Sequence, residues 1–186
     1  ERFLPAIELI KQHMHTVDLP GKTDHRLRLL EQTDNWLLSS EHTQSELQRN
    51  FNVLATTAAQ RNQTIHLNYR KIHSLMLSSD IIWFDFDALC GDQRGSADYI
   101  ELARQYHTIF VSDIPQMDDS QNDRARRFIT MIDEFYDRRV KLFASAAVAP
   151  EAIYTGQRLA FEFQRTVSRL LEMRSHDYMQ QAHKSS

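Results

Sequence analysis

The sequence has a single cysteine, Cys90, so no internal disulfide can staple the fold, and a reducing compartment is the simplest reading. No apolar run approaches the roughly 18 residues that a membrane-spanning helix needs. No signal peptide precedes the first periodic segment. No charge of one sign dominates. A net charge of -3 argues against a dedicated nucleic-acid or acidic-membrane binder, although it is compatible with a local patch. The motifs GxSxG, HExxH, the paired-cysteine zinc spacings and GxxxxGK followed by Ser or Thr are all missing. Their absence removes the hydrolase elbow, the common zinc sites and a P-loop from this chain. Cys90 stands in a loop with no histidine placed beside it by spacing, so it does not read as a catalytic thiol. His13 and His15 are two apart, on different faces of a helix, which is poor metal geometry. The chain starts at Glu1 on a helical pattern and therefore reads as a piece of a longer protein.

What is present is ordinary globular material. With 41% hydrophobic and 25% charged residues over 186 positions, one domain, or one domain plus a subdomain, is expected. A chain of this length buries roughly 70% of its unfolded surface, enough for a core without staples. The clearest stretch is 107–145. Thr108, Ile109, Phe110 and Val111 form a short apolar strand that stops at Ser112 and Asp113. Ala125, Phe128, Ile129, Ile132, Phe135 and Tyr136 then recur at steps of three and four, one stripe of a helix. Ser120 reads as its cap with Asp123 as capping-box partner, and Asp123 with Arg127 and Glu134 with Arg138 read as surface ion pairs. Val140 to Ala144 is a second strand, ending at Ser145. Two short apolar strands joined by a helix predict a parallel βαβ unit, with Asp113 and Ser145 at the ligand-binding carboxyl ends.

Around this unit the periodicity divides the chain. Phe3, Ile7, Ile10 and Met14 stripe a first helix, and Leu47, Phe51, Leu54, Ala55 and Ala58 stripe another. A small, largely helical subdomain over 1–61 is predicted from them. Beyond it lies an α/β region over 62–186. Ile65, Leu67 and Tyr69 alternate as a half-buried strand, and a further strand covers 81–86 with Ile82, Phe84 and Phe86 on one face. Ser96 reads as the cap of a helix after the glycine-bearing loop at 91–95, a place where phosphate can be cradled, but no lysine follows it. A short helix ends at Gly156, and Phe163, Val167, Leu170 and Leu171 stripe the last one. Arg165 and Arg169 repel on that helix unless a carboxylate lies opposite. They are partner-binding candidates, with an internal ion pair as the plainer reading. The basic runs at 124–127 and 138–141 are interrupted by acids and read as an ion-paired, solvated helix.

The segments WFDFDALCG, GSADYIELARQYHTIFVSDIP, RARRFITMIDEFYDRRVKLFASA and FEFQRTVSRLLEMRSHDY, in that order, together with ERFLPAIELIK, resemble the C-terminal half of the AFG-one-like AAA+ ATPases, and in particular their bacterial cell-division members. The resemblance covers nearly the whole chain and is weakest over 31–62. It implies an ATPase whose Walker A and Walker B motifs lie upstream of Glu1. ATP and Mg belong to the parent protein, and this chain alone is expected to bind neither and to be inactive. Residues 1–61 become lid-like. Arg2 falls where AAA+ proteins place the arginine finger that reaches a neighbour's γ-phosphate. Asp24 and Arg26 match a DYR-like lid motif in which His25 replaces the tyrosine, and Arg126 and Arg127 are candidate phosphate or partner contacts. The partner implied is a protein, the FtsZ division ring for a bacterial member. A homo-oligomeric parent, a cytoplasmic position at the inner face of the inner membrane, and no nucleic acid complete what the resemblance implies.

Within 107–171 the layout also resembles an AAA+ core after its P-loop. Asp113 takes the Walker B position without a second acid, and Ser145 takes that of a sensor residue. This reads as a degenerate second AAA-like unit. The alternative is a self-contained protein-interaction module that binds no nucleotide.

Overall fold

A computed structural model of the chain describes residues 34–91 and 94–185. Arg2, Asp24, Arg26 and the predicted first helix lie outside the described residues. Within them the elements run β1 (Trp36–Leu38), α1 (Thr43–Leu54), β2 (Gln60–Leu67), β3 (Arg70–Leu77), β4 (Ile81–Asp85), a π-helical turn (Asp87–Gly91) and α2 (Ser96–Gln105). They continue with β5 (Thr108–Ile114), α3 (Asn122–Asp137), β6 (Lys141–Ala146), α4 (Ala160–Met173) and α5 (His176–Gln180).

The six strands make one mixed sheet in the order β1-β6-β5-β4-β3-β2. β1, β6, β5 and β4 are mutually parallel, and β3 and β2 extend the sheet antiparallel. The predicted parallel pair is β5 with β6, Ile109 beside Leu142 and Phe110 beside Phe143. Alternation sends successive residues of these strands to opposite faces, and both faces are covered. Ile82, Phe84, Ile109, Val111, Leu142 and Ala144 share a cluster with Leu102 of α2, Phe128, Ile132 and Phe135 of α3, and Phe163 of α4. Ile81, Trp83, Phe110 and Phe143 share a second cluster with Leu47, Phe51 and Leu54 of α1. Tyr178 of α5 belongs to the first cluster and Met179 to the second.

Several sequence expectations change. The later part of the predicted helical subdomain is built into the sheet, since β1 pairs with β6 and α1 covers one face. Asn35 anchors this entry, its side-chain amide donating to Leu142 O at 3.1 Å and Met173 O at 3.3 Å. Tyr69 is not on a strand. Asn68 and Tyr69 form the two-residue turn between β2 and β3, both with positive φ, and β3 follows at once. Gly95 rather than Ser96 is the cap of α2, with the Asp98 carboxylate accepting its N–H at 3.2 Å. Ser120 does not cap α3. Its N–H donates to Asp118 at 2.8 Å, in a short turn ahead of the helix. Glu134 and Arg138 do pair at 2.6 Å. Arg127, expected on Asp123, donates instead to Cys90 O at 2.8 Å. The helix expected before Gly156 is one 3-10 turn, Pro150–Ala152, after which Tyr154 bridges to Met117. Leu171, expected in the apolar stripe of α4, is exposed, and Met173 is buried there.

Candidate functional site

Ligands of open α/β sheets gather beyond the strand carboxyl ends, where neighbouring strands send their connections to opposite faces. Here that point lies between β1 and β6. The chain leaves β1 into α1 on one face and leaves β6 toward α4 on the other.

The polar groups at this point are bonded within the protein itself. Ser39 N–H donates to Ala146 O at 2.8 Å. Ser40 N–H donates to Thr43 Oγ1 at 2.9 Å, and that hydroxyl donates onward to Leu38 O at 2.9 Å. His42 N–H reaches Ser40 Oγ at 3.4 Å, and the Trp36 indole donates to Val148 O at 3.2 Å. The loop at 39–42 contains no glycine and no lysine. A phosphate cradle needs free backbone N–H groups on a chain that can approach closely. These residues do not fit ATP and Mg.

At the adjoining ends, Asp113 lies at a register shift in β5 and has φ 62°. Its N–H donates to Ser145 Oγ at 2.9 Å, so the buried Ser145 hydroxyl closes the irregularity. Ser112 Oγ is buried and has no hydrogen-bond partner among the described residues. At the end of β4, burial raises the Asp85 carboxyl, opposed by the Arg124 charge. Asp85 accepts the N–H of Asp87 at 2.8 Å. Arg124 pairs with the Asp87 carboxylate and lies over the Phe86 ring at 5.1 Å. Among the described residues no group of three or more side chains could hold a metal ion.

Among the described residues, none of the other candidates bonds to the groups at these strand ends. Arg126 is an exposed residue of α3. Arg127 is spent on the Cys90 carbonyl. Arg165 and Arg169 both pair with Asp133 of α3, Arg165 at 2.6 Å, and Arg169 stacks on Tyr136 at 4.8 Å. The internal carboxylate partner is therefore Asp133. Burial pushes the Cys90 thiol up to about 12, the opposite of an activated thiolate.

Sequence reading missed a polar knot beyond the end of β5. Asp119 accepts from Tyr154 Oη at 2.6 Å and from the N–H groups of Gln157 and Arg158, each at 3.0 Å. These donors, led by the Gln157 N–H, hold its carboxyl down at about 2. Tyr154 stacks on Phe163 with ring centroids 4.5 Å apart. Gly156 sits inside the knot. A Cβ there would stand closer to Tyr154 Oη and Asp119 Oδ1 than any real Cβ does. The partners are more than thirty residues apart, so only the glycine after Tyr154 marked the place. Gly156→Ala is expected to break the knot. The carbon-13 titration of the Asp119 carboxyl should move from about 2 toward the ordinary value of 3.8. The lowered carboxyl contributes stability above pH 3.8 that disappears as pH falls through about 2, and the variant should lack that acid-side loss.

A mixed six-stranded sheet with four parallel strands and helices on both faces defines the α/β class of architecture. The chain belongs to the AFG1-like ATPase family, whose model matches residues 1–182. It is 40% identical over 183 residues to the cell division protein ZapE of Escherichia coli K12, covering 98% of this chain and 49% of that protein. A Schizosaccharomyces pombe protein is 34% identical over 158 residues, covering 83% of this chain and 35% of its own length. Lactation elevated protein 1 homolog B of Danio rerio is 27% identical over 212 residues, covering 95% and 42%. The chain thus spans about half the length of its bacterial relative. No solved structure matches. Among the described residues no helix is long and apolar enough to cross a membrane.

Proposed function

We propose that this chain is the C-terminal half of an ATP-hydrolysing AAA+ protein that remodels a protein partner. In this reading the half supplies assembly, lid and partner contacts, and nucleotide turnover belongs to the half that carries the Walker motifs. The observation that carries it is the switch point between β1 and β6, where Ser39, Ser40 and Thr43 bond to one another and to the neighbouring strands rather than leaving backbone N–H groups free for phosphate. The adjacent parallel pair β5 and β6, with Asp113 and Ser145 at its carboxyl end, supports reading the sheet as a degenerate AAA-like unit. Arg2 is then the arginine finger, acting on a neighbouring subunit of a homo-oligomer. Asp24 and Arg26 belong to the lid-like segment. Because one relative is a cell division protein, FtsZ is the partner we favour, at the inner face of the inner membrane.

Calorimetric titration of this chain with ATP·Mg tests the reading, beside an ATPase assay of the full-length parent. No heat from the chain and turnover by the parent is the expected pair of results. Micromolar binding by the chain alone would overturn the division of labour. A parent without turnover would favour the alternative, a protein-interaction module that binds no nucleotide.

A further inference from the structure

The β2–β3 hairpin forms the outer edge of the sheet, and three of its features point outward. The first is charge. No aspartate or glutamate occurs between Glu46 and Asp80, although the whole chain has a net charge of -3. The same stretch carries Arg49, Arg61, Arg70 and Lys71, of which Arg70 pairs with Asp98 of α2 at 3.7 Å. His66 lies opposite Lys71, and Thr64 lies opposite His73. Directly opposed residues share a face of a hairpin, as do positions two apart, so His66, Lys71 and His73 present together. All three are exposed, and among the described residues none faces a carboxylate across the hairpin.

The second feature is the edge itself. Among the described residues β2 pairs on one side only. Leu67 and Arg70 close the two-residue turn, so Leu67 and Ile65 direct their backbone groups at β3. Thr64 and His66 therefore turn their N–H and C=O groups outward. A cationic edge repels basic strands and admits acidic ones, which gives it selectivity as well as capacity.

The third feature is Tyr69. It is fully exposed and has φ 67°, next to Asn68 with φ 45°. Two positive φ values define a turn whose second position favours glycine, and a bulky residue there is strained. Glycine would suit the backbone better, and among the described residues the ring packs against nothing. Strain without an internal return points to an external contact.

We propose that this hairpin docks an acidic, extended polypeptide segment. The segment adds to β2 as a further strand, sets carboxylates against His66, Lys71 and His73, and is covered at one end by the Tyr69 ring. The open backbone row at Thr64 and His66 favours a polypeptide over a nucleic acid, since only a peptide backbone can complete a strand ladder. The inference is independent of the ATPase reading.

The test uses the full chain and a labelled octapeptide of alternating Glu and Val, with an alternating Lys and Val peptide and an oligothymidylate as comparison probes. Fluorescence anisotropy at low salt should show binding of the acidic peptide alone. Amide exchange should slow at Thr64 and His66. In Tyr69→Gly the affinity should fall about tenfold while Tm stays equal or rises, because glycine relieves the turn. Lys71→Glu should abolish binding with Tm little changed. The proposal is overturned if the acidic peptide does not bind, if neither variant alters its binding, or if the oligothymidylate binds without slowing those two amides.

Discussion

Replacing Lys141 with methionine weakens the fold, and the deficit grows from pH 7 to pH 10. Lys141 begins β6 and is 1% exposed. Its ammonium donates to Tyr178 O at 2.6 Å and Gln181 O at 2.9 Å, and it lies over the Tyr178 ring at 4.8 Å. These carbonyls lie at the C-terminal end of α5, where a cation also meets the negative end of the helix. Burial, with the Arg139 charge as a lesser cause, holds the amine down at about 8 against an ordinary 10.5. Between those values the unfolded chain keeps a proton that the fold gives up, so stability rises with pH across that window. One pKa unit corresponds to about 1.4 kcal/mol, so the gain is roughly 2–3 kcal/mol by pH 10. The neutral amine still has two protons for the two carbonyls. Methionine has none, and leaving them unpaired costs about 1–3 kcal/mol at any pH. Urea unfolding of the two proteins at pH 7 and pH 10 measures both effects. Parallel pH profiles would mean that the Lys141 amine keeps its ordinary value in the fold.

Phe110→Ala should cost about 3–5 kcal/mol, as for other buried aromatic truncations. Phe110 is fully buried at the centre of the second cluster. Its ring lies 4.8 Å from Phe143, 5.3 Å from Phe51 and 6.1 Å from Trp83. Against a typical net stability of about 5–15 kcal/mol the loss is large. The partners on β4 and β6 are fixed by the sheet, so only α1 can move inward to fill the void. The urea midpoint should therefore fall, and amides over Thr43–Leu54 should lose protection ahead of those in β5 and β6. Equal loss across α1 and the central strands would show that the helix and sheet open together.

What was legible in the sequence was what local period can encode. The β5–α3–β6 unit was readable because its strands are short apolar runs and the helix repeats Phe128, Ile132 and Phe135 on one face. β1 was not, because three residues cannot display a period, and its partner is β6 at the far end of the chain. β3 was missed because the turn before it, Asn68 and Tyr69, lacks the glycine that normally marks such a place, so the hairpin read as one strand running through Tyr69. The Asp119 knot, the Asp133 pair of arginines and the Lys141 contacts join residues more than thirty positions apart, and no local pattern announces them. The candidate site was legible only in outline. Asp113 and Ser145 were placed at strand ends by their position after apolar runs, but the Ser145 hydroxyl is engaged by a backbone N–H.

The entry of the chain into the sheet has a consequence for how the protein is made. Asn35 reaches the carbonyl of Leu142, 107 residues later, and Trp36 pairs with Ala144. On a ribosome, α1 emerges long before Phe110 and Phe143, the rings that its own Phe51 face packs against. Leu47, Phe51 and Leu54 must wait through the synthesis of the rest of the sheet, since β6 is its last strand in sequence. Closing so long a loop is slow and comes late. During that interval an apolar helix face is open to holding chaperones and to neighbouring nascent chains, so translation speed through β5 and β6 sets how long the exposure lasts.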